Sequence, residues 1–351
     1  LLSRKKEDRE IILNLIELEL RLKDAAGLAR HLEALLKQDA EEAFRIAARL
    51  AGAGLKGKDL YYVLAKVQIK ALKPDKAVAY YEKIFKEFPE DSAVLQKVLK
   101  DLLGTFPDFP EARFLLAGIY TQEQNYSEAV ALYNHIVRSN PALYADDVLH
   151  GYKEVLRVCP NQALAMQSLG ELYLAKREYP LAVEQFKRLL EINPEAAELV
   201  IQKCKKVLKS EPLAVVRQLI GQAYLLKKDQ ARALEEGSYL IKHVPDFGGG
   251  YELVGKALLL SGKYDKAVGI LRTALGLLPY EASIHAAYAE AMRRRLEARA
   301  ENLKKQVAQD PWQLTVRFKL GQVYFLLGEL ADAVAELQMA LKDTAVARAA
   351  Y

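Results

Sequence analysis

Along residues 57–345, small, aromatic and proline positions recur in one order, with charged residues of both signs between them. Six small residues frame the pattern: Ala65, Ala117, Gly170, Gly221, Gly255 and Gly321. Three positions after each stand Gln68, Tyr120, Tyr173, Tyr224, Leu258 and Tyr324. Twelve positions after comes an alanine every time: Ala77, Ala129, Ala182, Ala233, Ala267 and Ala333. Sixteen after lie Tyr81, Tyr133, Phe186, Gly237, Leu271 and Leu337; twenty-four after lie Pro89, Pro141, Pro194, Pro245 and Pro279, with Ala345 breaking the series. These offsets predict pairs of antiparallel helices. Paired helices approach closely only where neither presents a bulky side chain. Aromatics one turn away, on the same faces, fill the space the small residues leave. A proline at the end of the second helix stops it, having no N–H and disfavouring helical geometry just before it. Polar turns such as Glu123-Gln124-Asn125 and Lys227-Lys228-Asp229 join the members of each pair.

The pattern resembles the tetratricopeptide repeat, a helix–turn–helix of about 34 residues. Leu169-Gly170-x-x-Tyr173, Ala182-x-x-x-Phe186 and Asn193-Pro194 carry the resemblance most closely. It implies an all-α fold, a right-handed α–α superhelical solenoid of stacked hairpins. Residues 57–245 are expected to hold repeats with interspersed extra helices, and 246–351 further repeats, the last truncated.

The frame is not evenly spaced: successive small residues are 52, 53, 51, 34 and 66 positions apart. The first three intervals each carry an insertion long enough for one helix. The insertions begin at Val94, Val148 and Val200, and each ends in a proline, Pro107, Pro160 or Pro212. They read as second helices without first-helix partners. The longest interval is close to two plain repeats, so 280–310 is expected to be a degenerate unit with Ala289 in the small place. One long helix through Arg293–Arg299 is the competing reading. Residues 1–56 form a worn first unit, with Ala29 in the alanine place, Glu17 in the small place, Ile16 and Leu20 beside it, and 40–53 as an extra helix. A further helix is expected to begin at Asp343. No polar capping helix of the kind that closes a repeat array follows it. The chain also starts with Leu, so a fragment of a longer protein is expected.

Charge changes this picture little. Fifty-one basic residues face 46 acidic ones, a net +5, and 28% of the 351 residues are charged. Interspersed signs such as Lys83, Lys86, Glu87 and Glu90 read as solvated faces rather than as a nucleic-acid stripe. The cluster Arg293-Arg294-Arg295 with Arg299, Lys304 and Lys305 has Glu290, Glu297 and Glu301 at pairing distance along a helix. A salt-bridged face is therefore favoured over RNA. Cys159 and Cys204 stand apart without metal-ligand spacing, and the five histidines are scattered, so no metal or cofactor is implied. Gly250-x-x-x-x-Gly255-Lys256-Ala257 approaches a phosphate-binding loop but lacks the final hydroxyl and a preceding strand. Gly248-Gly249-Gly250 reads as a flexible junction. No apolar run is long enough to span a bilayer, and no secretory leader is visible. A cytoplasmic protein without direct membrane contact is expected.

In the repeat family that this chain resembles, first helices line a concave face that holds partner peptides. The contact places lie three before and one after the small residue. Carried over, they are Tyr62 and Lys66, Phe114 and Gly118, Gln167 and Glu171, Gln218 and Gln222, Glu252 and Lys256, and Phe318 and Gln322. The lysine and asparagine clamp that some members use on a C-terminal carboxylate is absent from these places. The resulting expectation is a non-catalytic scaffold that binds proteins or peptides. The alternatives are a substrate-recruiting arm of a larger enzyme and an RNA-binding solenoid.

Overall fold

The structure, a computed structural model, describes residues 2–341, with side chains from Asp8 onward. The expectations for Ala345 and for a helix from Asp343 fall outside the described residues. Within them there are nineteen α-helices and no strand. In chain order these are α1 (Leu2–Leu22), α2 (Ala25–Gln38), α3 (Ala40–Ala51), α4 (Lys58–Lys70), α5 (Pro74–Glu87), α6 (Ser92–Thr105), α7 (Pro110–Gln122), α8 (Tyr126–Ser139), α9 (Pro141–Val158), α10 (Ala163–Ala175), α11 (Tyr179–Ile192), α12 (Ala197–Leu208), α13 (Ala214–Leu226), α14 (Gln230–His243), α15 (Gly248–Leu260), α16 (Tyr264–Leu277), α17 (Ala282–Gln309), α18 (Leu314–Leu327) and α19 (Leu330–Ala340). Two compact units divide at Leu172/Tyr173. Within the two units the expected hairpins α4–α5, α7–α8, α13–α14, α15–α16 and α18–α19 form, and the insertions become α6, α9 and α12. The framing alanines at plus twelve are at most 2% exposed.

The turns repeat more strictly than the side chains. One left-handed residue sits in each hairpin turn: Lys23, Leu72 and Gln124 in the first unit, and Arg177, Lys228, Gly262 and Gly328 in the second. The next residue donates its N–H to a carbonyl five positions back, as in Lys73 to Gln68 (2.9 Å), Asn125 to Tyr120 (2.8 Å) and Asp229 to Tyr224 (2.9 Å). This six-to-one bond closes the last turn of a helix and satisfies a carbonyl that would otherwise be orphaned. Left-handed geometry costs a residue with a Cβ about 1–2 kcal/mol. Leu72, at φ 55° and 77% exposed, bears that strain without packing to offset it. Leu72→Gly should therefore stabilise the protein by about 0.5–1 kcal/mol in urea unfolding, part of the relief being returned as unfolded-state entropy.

The same turn register corrects the N-terminal frame by one residue. Asp24 N–H bonds to the Glu19 carbonyl at 2.9 Å, which makes Ile16, not Glu17, the equivalent of Ala65, and Leu28, not Ala29, that of Ala77. Both are large, and both are buried. Room at this hairpin comes from Gly27, where a Cβ would strike the Glu19 carboxylate. The α1–α2 pair thus keeps the turn and loses the small-residue crossing.

In the second unit, the framing glycines receive large side chains. A Cβ on Gly221 would overlap the Leu253 methyl groups, one on Gly255 the Leu271 side chain, and one on Gly321 would lie 2.7 Å from Leu337 Cγ and 3.2 Å from the Ala333 carbonyl. Backbone also comes close between neighbouring hairpins. A Cβ on Gly237 would sit 3.2 Å from both Gly250 O and Val254 N, and one on Gly250 2.9 Å from Leu240 Cβ. Gly248–Gly250 is consequently no flexible junction: it is the buried first turn of α15.

The 280–310 segment is likewise not a degenerate hairpin. It is α17, a single helix of 28 residues. No Gly or Pro interrupts 282–309. The i,i+4 pairs Glu290–Arg294, Arg293–Glu297 and Glu301–Lys305 run along its exposed side. Cys159 and Cys204 are free; Cys204 is buried in α12, and burial pushes its thiol up to about 12.

Candidate functional site

In the second unit, four of the carried-over residues meet in one cleft of about 730 Å³. Gln218, Gln222 and Leu226 follow one another at i, i+4 and i+8 along α13, and Gly248, Glu252, Lys256 and Leu260 do so along α15, so each set shares a face. The start of α17 and part of α11 close the cleft, through Ser283 on one side and Lys187, Leu190 and Glu191 on the other.

The floor is an internal polar network. Glu252, whose side chain is 7% exposed, accepts from Lys256 Nζ (2.5 Å) and Ser283 Oγ (2.7 Å) on Oε1, and from Gln218 Nε2 (3.1 Å) on Oε2. Such satisfaction is what makes a buried carboxylate tolerable. Gly249 lets this network form: a Cβ there would lie 2.6–2.7 Å from the Gln218 carboxamide. Gln218 and Glu252 are thus occupied by the protein itself, while Gln222 is half-buried at the cleft wall. The rim carries leucines that the contact-place rule did not single out: Leu226, Leu260 and Leu278 are 46%, 57% and 38% exposed. Two of them continue the i+4 series from Gln222 and Lys256, a signal present in the sequence. Four carboxylates (Glu191, Asp246, Glu252 and Glu281) and two ammonium groups (Lys187 and Lys256) line the cleft. It is acidic with an apolar rim.

The other contact places sit elsewhere. In the first unit, Tyr62 packs against Tyr81 with ring centroids 6.2 Å apart, and burial, then the Asp91 carboxylate, raises its phenol pKa. Lys66 pairs with Glu33 at 2.9 Å. Phe114 meets Tyr133 (6.1 Å) and Tyr144 (6.2 Å) beside a 460 Å³ pocket that Gly118, His150 and Glu154 also line. Gln167 bonds to Glu171 on the same helix at 3.1 Å. In the second unit, Phe318 is half-buried and Gln322 exposed, both on α18.

Residues 250–257, the near-match to a phosphate loop, are continuous helix within α15. Their N–H groups serve the helical ladder instead of a phosphate cradle. Among the described residues no group of three His, Cys, Asp or Glu side chains is placed to hold a metal ion, and no helix is long and apolar enough to cross a membrane. Arg293 and Arg294 pair with Glu290 (both 2.8 Å) and with Glu297 (3.8 and 3.3 Å), the salt-bridged face their spacing favours.

Comparison with known proteins bears on the repeats. Sequence models described as tetratricopeptide repeat match residues 59–91 and 96–151, the stretches that form α4–α5 and α6 to mid-α9. Anaphase-promoting complex subunit 3 of Schizosaccharomyces pombe (strain 972 / ATCC 24843) is 23% identical over 211 residues, 56% of this chain. The aligned part spans only 29% of that protein's length. Among solved structures, a tetratricopeptide repeat protein from Parabacteroides merdae ATCC 43184 is 14% identical, with a TM-score of 0.27 over 82% of this chain and 99% of that one. The IFIT1 monomeric mutant with Gppp-AAAA is 14% identical, with a TM-score of 0.30 over 96% and 94% of the two chains.

Proposed function

The chain belongs to the tetratricopeptide-repeat family, and we propose that it is a protein-interaction scaffold, without catalysis of its own, that seats a peptide segment in the α13–α15 cleft. The observation that carries this reading is the division of labour in that cleft. Its polar floor is already satisfied by Gln218, Lys256 and Ser283 around Glu252, so it holds a shape without a ligand. Its exposed leucines Leu226, Leu260 and Leu278 have no such satisfaction. A rigid polar base with an apolar rim suits an amphipathic segment that buries one or two aliphatic or aromatic anchors. The four carboxylates against two ammonium groups favour a segment carrying basic residues beside those anchors.

Peptides selected on the intact chain from a displayed random library give the test. Enrichment for basic and aliphatic residues together is expected. Leu226→Glu/Leu260→Glu, changes at two exposed positions that leave the fold intact, should weaken the selected peptides at least about tenfold, since hot-spot anchors are worth 2 kcal/mol or more. Peptides that bind the double variant as well as the parent would place the binding surface elsewhere.

A further inference from the structure

The second unit holds another cleft, of about 960 Å³, that shares no lining residue with the first. Its origin is a mismatch of helix lengths. Helix α16 has 14 residues and α17 has 28, so at about 1.5 Å per residue α17 runs roughly 20 Å further. The early part of α17 packs on α16, through Ile284, Ala287 and Ala291. Its later part packs on α18, through Ala300, Leu303 and Leu320. Beside the α15–α16 turn, where the overhang begins, a notch remains that no helix of the described residues fills.

Cations gather in this notch. Lys263 comes from the turn, Lys266 from the start of α16, Arg295 and Arg299 from α17 and Lys319 from α18, against a single carboxylate, Asp265. None of the five is among the ion pairs of the described residues, in contrast to Arg293 and Arg294 one face away. Arg295, Arg299, Asn302 and Gln306 follow at i, i+4, i+7 and i+11, one stripe about 16 Å long. That length matches about five residues of extended chain. The two guanidinium groups present planar forks suited to carboxylates, and the two amides suit a peptide main chain.

We infer that this notch is a second docking site, for an extended Asp/Glu-rich segment of a partner protein. Charge complementarity identifies the occupant. The composition of the walls separates it from nucleic acid: sequence-tolerant binding of single strands relies on aromatic platforms for successive bases, and Tyr264 is the one aromatic residue in the lining. The inference does not depend on the leucine-rimmed cleft, because its determinants lie on other side chains.

The test uses the intact chain and three fluorescein-labelled probes at 50 mM salt: hexaglutamate, hexaglutamine and hexauridylate. Hexaglutamate should bind saturably and more tightly than the other two, and should weaken severalfold at 200 mM salt because the cations are solvent-accessible. Arg295→Glu/Arg299→Glu should lose at least tenfold in affinity. Lys263→Glu/Lys266→Glu, at two exposed positions at the start of α16, should lose a similar factor and serves if the arginine variant fails a circular-dichroism check of folding. Leu226→Glu/Leu260→Glu should bind hexaglutamate as the parent does, so failure of either site is read separately. Absence of saturable hexaglutamate binding, undiminished binding by a folded charge-reversal variant, or tighter binding of hexauridylate each overturns the assignment.

Discussion

Gly250→Leu should lower the unfolding free energy by about 3 kcal/mol or more, the upper end of what overpacking costs. The reason lies in what surrounds the α-hydrogen. A Cβ alone would stand 2.9 Å from Leu240 Cβ, 3.3 Å from Ile241 N and 3.5 Å from Gly237 O. Two of those atoms are backbone and the third is fixed to backbone, so no rotamer change makes room. The helices must separate, and separation also strips contact from Gly237, whose own approach to Gly250 O and Val254 N is 3.2 Å. Interiors packed to crystal-like density do not absorb such a shift locally. Gly276, in α16, has open space where a Cβ would go, so Gly276→Leu is the control for adding the same side chain to a helix. Urea unfolding should separate the two variants by several kcal/mol, with hydrogen exchange in the damaged one accelerated first in α14 and α15. If Gly250→Leu unfolds within about 0.5 kcal/mol of the parent, within the usual range of surface substitutions, the α14–α15 crossing is misassigned.

That crossing shows what the sequence did and did not make legible. The hairpins were readable because each combines a small residue and an alanine at fixed offsets, joined in five of the six by a proline, separate constraints on one geometry. Contacts between hairpins had no such redundancy. Gly237 and Gly250 meet across a repeat boundary, and three consecutive glycines carry the same local signal whether they loosen a linker or let a helix press against its neighbour. Burial decided, and burial belongs to the tertiary fold. Helix α17 was ambiguous for a related reason. Spacing allowed a hairpin, while the unbroken run without Gly or Pro allowed one helix, and the helix needs no turn residue that the sequence fails to supply. At Ile16 the frame slipped by one because a nearby alanine, Ala29, imitated the mark. The turn bond from Asp24 to the Glu19 carbonyl fixed the register that side-chain identity had misplaced. In the cleft, sequence offsets brought Gln218, Gln222, Glu252 and Lys256 to the right helix faces. They could not reveal that Ser283, thirty-one residues further on, would complete the Glu252 network.

Glu252→Ala carries the next largest expected effect, a loss of about 2 kcal/mol in stability together with altered peptide selection. Breaking a fully buried ion pair from one side costs roughly 3–5 kcal/mol, because the partner charge remains uncompensated. Here Lys256 is 29% exposed at its side chain and can turn toward water, which reduces that cost. The Gln218 amide, 9% exposed, has less freedom and keeps an unmet donor. Glu252→Gln should retain most of the stability, since a carboxamide can still accept from Ser283 or Gln218. The decisive variant is Glu252→Ala/Lys256→Met. If the loss in the single variant comes from an orphaned ammonium, removing that ammonium should restore part of it, giving a coupling of about 1 kcal/mol in the double-mutant cycle. Strict additivity would mean that Glu252 contributes through packing and not through charge. Binding should move with the charge count as well. Losing one of four carboxylates while freeing Lys256 reduces the cleft's preference for basic segments, so peptides selected on Glu252→Ala should carry fewer lysines and arginines than those selected on the parent. Unchanged peptide composition would assign Glu252 to holding the floor of the cleft and leave Glu191, Asp246 and Glu281 to set its charge preference.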